Sequence, residues 1–236
     1  MLVLVFAILF QVGVFRGATS LIATHLDATD TDAASTNAGL SGLGYSSPIT
    51  NTVATQLLNA YTDNISQNGS YSNSEGAKAA EQIASSILPQ VSYTRVSSSD
   101  VHTDPDISKE RVLAYRADLR VALEPLLLNK DMELEIFGRF VESGETAYLD
   151  ALRNAAVNYR KAAANAAALK VPVDAAVYHA AILNAMNEFA ATLDALATNA
   201  ADPFASAAYL KTYNQAQADI LASFGGIGAY AARKTI

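Results

Sequence analysis

The strongest helical pattern in this chain lies in residues 175–196, which read AAVYHAAILNAMNEFAATLDAL. Positions that alternate at spacings of four and three are Ala175, His179, Ile182, Met186, Phe189, Leu193 and Leu196. An α-helix places residues with this spacing on one face. The pattern therefore predicts a long helix that packs side by side with its neighbours at shallow angles.

The segments on both sides carry the same alternation. The first comprises Tyr148, Leu152, Ala155, Tyr159, Ala162, Ala166 and Leu169, and the second comprises Leu210, Tyr213, Gln217, Ile220 and Phe224. The breaks at 170–172 and 202–203 leave short connections, so we expect neighbouring helices to run antiparallel. Three glycines, Gly225, Gly226 and Gly228, predict that the last helix ends or loosens there.

Further helices are indicated between residues 105 and 142. The positions Val112, Tyr115, Leu119, Ala122 and Leu126 recur at helical spacing. Pro125 lacks a backbone donor, so it should kink or end that helix. A shorter helix is expected over 131–142, before Ser143 and Gly144.

Helix starts are marked by capping residues. Ser47–Pro48 and Asp104–Pro105 each place a capping side chain before a first-turn proline. Ser72 and Glu75 have the spacing of a capping box. Between these helices, residues 91–101 are rich in Val, Tyr, Ser and Thr, which predicts an extended arm or a short edge strand.

The N-terminal residues 2–15 are almost wholly apolar. Eleven of the fourteen are Leu, Val, Ile or Phe, which favours bilayer insertion by roughly 3 to 7 kcal/mol. Arg16 would cost about 2.5 to 3.5 kcal/mol at mid-membrane and less near an interface. We therefore expect a membrane-anchor helix. A cleaved signal peptide is the alternative, but no basic residue precedes the stretch and no clear cleavage site follows it.

Two further features concern this segment. The acidic, Thr-rich tract 25–35 has no Lys or Arg, so we expect the main domain outside the cytoplasm, although Arg16 alone would favour the opposite orientation. Gly13 and Gly17 have the GxxxG spacing of closely packed transmembrane helices. Two glycines without a packing role are the simpler interpretation.

Together these patterns predict an all-α fold: an antiparallel helical bundle with an N-terminal membrane-anchor helix and a short extended segment. The expected organisation is a membrane anchor at 1–24, a polar linker at 25–47, a helical hairpin plus extended arm at 48–104, and a helical bundle at 105–236. The linker assignment rests on its Ser, Thr, Ala, Gly and Asp content.

Composition excludes several functional classes. The 236 residues contain no cysteine, which excludes disulfides, thiol nucleophiles and cysteine-ligated metals. The net charge is −7, and no basic run with interleaved aromatics is present, so a nucleic-acid partner is not expected.

His179 is the most suggestive single residue, because it shares a helix face with apolar side chains. A di-iron bundle requires Glu-x-x-His, and residue 176 is alanine. We therefore expect a buried histidine that is hydrogen-bonded to a Tyr or Glu across the bundle.

The tract Asp100, His102, Asp104 and Asp106 alternates potential metal ligands. An EF-hand would need glycine at loop position six and glutamate at twelve, where this chain has Pro105 and Arg111. A weak divalent-cation site is the alternative to a solvated loop that places negative charge before a helix.

Two other candidates have structural explanations. The segment Gly39–Gly44, GLSGLG, matches neither a nucleophile elbow nor a phosphate loop, and a flexible turn explains it. The tyrosines Tyr115, Tyr148, Tyr159 and Tyr213 could line a ligand cavity, but tyrosines at helical spacing are more often core. We therefore expect no catalytic, cofactor-binding or metal-binding residues.

Residues 171–185, VPVDAAVYHAAILNA, are followed by Asp-Pro-Phe at 202–204 and by Tyr213, and are preceded by SKERVLAY at 108–115. In these segments the C-terminal half resembles uncharacterised membrane-anchored helical-bundle proteins of bacteria with small genomes. The resemblance implies an envelope setting and no known activity.

The resulting functional expectation is a non-enzymatic cell-envelope protein. It would be a single-pass protein of the cytoplasmic membrane whose extracytoplasmic bundle mediates protein–protein interaction or assembly. The expected partners are the lipid bilayer, through the N-terminal helix, and another envelope protein. The alternative is an extracytoplasmic small-molecule-binding or sensory module.

Overall fold

The computed structural model describes residues 47–69 and 72–235. Residues from Ser47 onward form one compact unit. The expected membrane anchor at 1–24, the Gly13/Gly17 pair, segment Gly39–Gly44 and all of the expected linker except Ser47 lie outside the described residues. Among the helices that are described, none has the length and apolarity needed to cross a bilayer.

The described residues are mostly helical, which confirms the all-α class. The helices are α1 (Pro48–Asn68), α2 (Asn73–Ser86), α3 (Lys109–Ala122), α4 (Glu133–Ser143), α5 (Ala147–Ala167), α6 (Ala176–Thr198) and α7 (Pro203–Thr235). Short 3₁₀ helices occupy Ser98–Asp100, Glu124–Leu128 and Val173–Ala175. Two strands of two residues each, β1 (Thr103–Asp104) and β2 (Val171–Pro172), pair in parallel.

Two of the predicted helix starts are confirmed by their capping bonds. The Ser47 hydroxyl accepts a hydrogen bond from the Thr50 amide at 3.1 Å, and Pro48 occupies the first turn of α1. Ser72 and Glu75 form both bonds of a capping box at the start of α2. These contacts satisfy amide donors that a helix N-terminus otherwise leaves free.

The predicted helix start at Asp104–Pro105 is wrong. Asp104 lies in β1, where the backbone is extended, and the Val171 amide donates to the His102 carbonyl at 2.8 Å beside it. Helix α3 begins four residues later than expected, with Ser108 as its cap. Strand pairing therefore overrides a local capping signal.

Helices α5, α6 and α7 form the antiparallel core of the fold. Tyr159 on α5 contacts Phe189 on α6, with ring centroids 4.8 Å apart. The same Phe189 ring lies 5.2 Å from Tyr213 on α7, and Tyr178 lies 5.6 Å from Tyr230. Phe189 of α6 contacts Tyr213 of α7, whereas the earlier residue Tyr178 contacts the later residue Tyr230. The two helices therefore run in opposite directions.

The predicted helix face of α6 is fully buried. Every large member of the pattern from His179 to Leu196 is at most 1% exposed, and burial of one such leucine or phenylalanine contributes about 1.5–3 kcal/mol. Alanines on the facing side of α5 are buried as well: Ala155, Ala156, Ala162, Ala163 and Ala166. Small side chains at the contact allow the two helix axes to approach closely.

The glycines near the C-terminus do not end the last helix, contrary to the prediction. Helix α7 continues to Thr235 because Ile227, Tyr230 and Ala231 are buried at helical spacing beyond them. A Cβ on Gly226 would lie 3.4 Å from the Tyr178 ring. Burial on one face therefore outweighs the low helix propensity of glycine, which costs about 1 kcal/mol.

The extended arm predicted over 91–101 is present over 87–97, whereas Ser98–Asp100 forms a 3₁₀ helix instead. The arm crosses the surface of α6 and α7. The Thr212 hydroxyl donates to the Pro89 carbonyl at 2.8 Å, and the Tyr93 hydroxyl donates to Glu188 at 2.9 Å. Residues 87–97 form neither helix nor strand, so side chains of the bundle supply the bonds that hold them.

Candidate functional site

His179 lies in the centre of the bundle with no exposed surface. Its Nε2 atom is 3.1 Å from the Ala166 carbonyl oxygen, and its Nδ1 atom is 2.8 Å from the Tyr115 hydroxyl. A carbonyl oxygen only accepts, so Nε2 carries the proton and Nδ1 accepts from Tyr115. The expected hydrogen bond to a tyrosine across the bundle is confirmed.

The environment of His179 favours its neutral form. Burial disfavours the imidazolium and lowers the pKa of His179, and the Ala166 carbonyl offsets this only in part. Burial likewise raises the pKa of the Tyr115 phenol. Both ring nitrogens are engaged by the protein itself, so this pair acts as a polar link between α3, α5 and α6.

The alternating acids of residues 100–106 do not converge on a common point. Asp100 accepts hydrogen bonds from the Ser97 amide and hydroxyl, and Asp106 accepts from the Ser108 amide at 2.8 Å. Asp104 bonds Arg111 Nε at 3.0 Å. Each carboxylate thus stabilises a local turn or helix start rather than facing a shared ion.

His102 is exposed, and its backbone carbonyl accepts from Val171. Within the described ranges, no group of three or more His, Asp or Glu side chains has the geometry of a metal site. The bonds that Asp100, Asp104 and Asp106 form within the chain fit the interpretation of this tract as a loop that places negative charge before a helix.

The tyrosines of the helical seams are core residues. Tyr115 and Tyr213 have no exposed surface, whereas Tyr148 and Tyr159 are half-buried. The Tyr159 hydroxyl donates to Glu133 Oε1 at 3.1 Å. None of the four lines either of the two surface grooves described below.

Glu133, at the start of α4, is a half-buried acidic residue that the sequence did not single out. Burial raises the pKa of Glu133, although hydrogen bonds from its own backbone, Tyr159 and Asn129 partly offset the effect. The sequence around Glu133 does not indicate this environment, because Tyr159, which donates a hydrogen bond to it, lies 26 residues further along the chain.

An open groove of about 430 Å³ runs between α6 and α7. Its floor consists of small residues: Ala181 and Ala185 on α6, and Ala222 and Gly226 on α7. Asn184, Glu188, Asp219 and Ser223 place polar atoms along it. We call this the α6–α7 groove.

The extended arm 87–97 lies against the same face of α6. The Asn184 side chain accepts from the Val96 amide and donates to the Val96 carbonyl, both at 2.8 Å. Both hydrogen bonds of Asn184 go to backbone atoms of Val96. They do not depend on the side chain of the bound residue, so the same pair of bonds can hold any extended segment. Asn184 and Glu188 contact both the arm and the α6–α7 groove.

A second groove of about 390 Å³ lies between the C-terminal half of α3 and the end of α7. Arg116, Arg120 and Leu127 line it. A partial sequence signal for this groove exists, because two arginines four residues apart occupy one helix face. Of the three leucines that line it, only Leu119 belongs to the predicted core pattern.

No family model, no curated protein and no solved structure matches the chain.

Proposed function

We propose that this protein is a non-enzymatic, membrane-anchored component of a bacterial cell envelope. Residues 1–24 would hold it in the cytoplasmic membrane as a single span, and its extracytoplasmic bundle would bind another envelope protein. The apolar composition of residues 2–15 supports the anchor. The resemblance to membrane-anchored bundle proteins supports the same setting.

The observation that carries the binding role is the α6–α7 groove together with its neighbouring arm. The face of α6 already binds an extended segment through Asn184 and Glu188. Immediately beside it, the floor of small side chains leaves room for another helix or strand to approach closely. A partner segment would pack on Ala181 and Ala222 and bond to the polar side chains.

The bonded interior side chains and the open shape of the α6–α7 groove favour a protein partner over a small molecule. The His179 and Tyr115 side chains, which would be needed to orient a ligand in the interior, bond to each other. The α6–α7 groove is open along its length, whereas small-molecule sites are usually enclosed clefts or cavities.

The membrane part of the proposal is tested by alkaline extraction of envelope fractions from cells that produce the full chain. The full chain should remain in the membrane pellet, and a variant lacking residues 1–24 should be released. Release of the full chain would contradict the anchor.

The partner part is tested by crosslinking and purification of the tagged full chain. A partner should be recovered at a constant ratio, and its recovery should fall at least tenfold with Ala222→Phe, which fills the groove. Ala164→Phe, on an exposed position of α5, is the matched control and should retain the partner. Equal recovery with both variants would contradict a role for the groove.

A further inference from the structure

The turn after α3 carries two of the most exposed leucines of the described residues. Pro125 ends the α-helix, and the chain continues as the 3₁₀ helix Glu124–Leu128. Leu127 is 79% exposed and Leu128 is 64% exposed. A short turn projects these side chains outward, whereas the leucines before it, such as Leu119, are buried.

Two arginines flank this turn. Arg116 and Arg120 lie one helical turn apart on α3, and together with Leu123 and Leu127 they line the second groove. We call Arg116, Arg120, Leu123, Leu127 and Leu128 the leucine–arginine surface. Glu124 is the acidic residue beside it.

Four other arginines of the described residues form ion pairs with carboxylates, whereas Arg95 and Arg233, like the two beside this turn, do not. Arg111, Arg139 and Arg153 each bond a carboxylate at 3.0, 2.5 and 2.8 Å. Within the part of the chain that the structure describes, neither Arg116 nor Arg120 forms an ion pair. In a chain of net charge −7, this surface combines unpaired positive charge with protruding apolar side chains.

That combination matches the chemistry of an anionic phospholipid bilayer. Leucines that project from a turn can enter the boundary between headgroups and acyl chains. Arginine stems lie along apolar surface while their charged ends reach phosphate oxygens. Although Leu127 lines the second groove, Leu127 and Leu128 remain 79% and 64% exposed, which fits insertion into a headgroup boundary.

We propose that the leucine–arginine surface binds the surface of an anionic phospholipid bilayer. Leu127 and Leu128 enter the headgroup boundary, and Arg116 and Arg120 bind lipid phosphates. This contact is separate from the span proposed for residues 1–24 and does not depend on it. Where both operate, the bundle is fixed close to the membrane with the α6–α7 groove in a defined orientation.

The absence of tryptophan from the sequence provides a direct test. The full chain with Leu127→Trp carries a single indole at the proposed contact. With vesicles of phosphatidylglycerol and phosphatidylcholine, its emission should shift to shorter wavelength, and lipids brominated near the headgroup boundary should quench it. With vesicles of phosphatidylcholine alone, both effects should be at least several-fold smaller.

Two comparisons make the test specific. Adding Arg116→Gln and Arg120→Gln to Leu127→Trp should weaken the contact with anionic vesicles about 30-fold, because each arginine near an anionic surface contributes about a factor of five. Val141→Trp, at a position 66% exposed on α4, should keep the emission of an indole in water. Thermal unfolding of each variant verifies that the bundle remains folded.

The proposal is overturned if the Leu127→Trp indole stays in water on anionic vesicles. It is also overturned if quenching is equal on both lipids, persists in the arginine variant, or is matched by Val141→Trp. Flotation of the unmodified chain on phosphatidylcholine vesicles reports the proposed span separately. A chain that floats while the indole at position 127 stays in water would contradict this inference alone.

Discussion

The hydroxyl of Tyr115 donates a hydrogen bond of 2.8 Å to the ring of His179, and neither side chain has any exposed surface. The pair joins α3 to α6, while the second ring nitrogen of His179 reaches the Ala166 carbonyl on α5. Three helices therefore meet at one satisfied polar point within an apolar core. A buried polar group that loses its partner costs more than the net contribution of the bond.

Tyr115→Phe should therefore destabilise the bundle by about 1–3 kcal/mol, because His179 Nδ1 would be buried without a donor. Urea unfolding followed by circular dichroism measures the change. Tyr148→Phe, at a half-buried position on α5, is the control and should change stability by less than about 0.5 kcal/mol. Equal effects of the two substitutions would contradict the assigned hydrogen bond.

Stability should decrease as the pH falls below about 6.5, the ordinary pKa of histidine. The unfolded chain then binds a proton at His179 that the folded chain, with its lowered pKa, does not bind. Linkage gives a slope of up to about 1.4 kcal/mol per pH unit from this group. Urea titrations at several pH values should show a shallower slope for His179→Gln than for the parent protein.

Glu133 should have the opposite pH dependence. Because burial raises its pKa, the folded chain retains a proton that the unfolded chain releases, and stability falls as pH rises above about 4.3. Glu133→Gln preserves an acceptor for Tyr159 and should be more stable than the parent at neutral pH. The advantage should disappear once the pH is below the ordinary pKa of glutamate.

Two glycine substitutions should have opposite signs. Gly225 lies inside α7, and the space that a Cβ would occupy there is open, so Gly225→Ala should stabilise the protein by about 0.5–1 kcal/mol. Gly144 ends α4 with a φ of +72°, so Gly144→Ala should destabilise it by about 1 kcal/mol. Thermal unfolding compares the two, and a stabilising Gly144→Ala would contradict the left-handed cap.

The helical core can be predicted from sequence because its signals are local and periodic. The face of α6 from His179 to Leu196 follows directly from spacing, and the Ser72–Glu75 capping box needs only neighbouring residues. A tyrosine is also among the partners that the sequence predicts for His179, since a buried ring nitrogen needs a bond.

The wrong predictions share a different cause, which is contact between residues distant in sequence. Asp104 fails as a helix cap because β2 pairs with the strand that contains it. Gly226 stays within a helix because Ile227 and Tyr230 are buried beyond it. The exposure of Leu127, which belongs to none of the predicted helix faces, depends on where Pro125 turns the chain.

The central claim is that the α6–α7 groove binds an envelope protein, and site-specific photocrosslinking in the native envelope tests it most directly. A benzophenone amino acid is placed in the full chain at residue 222, in the groove, or at residue 164, on an exposed position of α5. We expect one discrete adduct from position 222, none from position 164, and loss of the adduct when Ala181→Phe fills the groove. No adduct from position 222, or the same adduct from both positions, would contradict it.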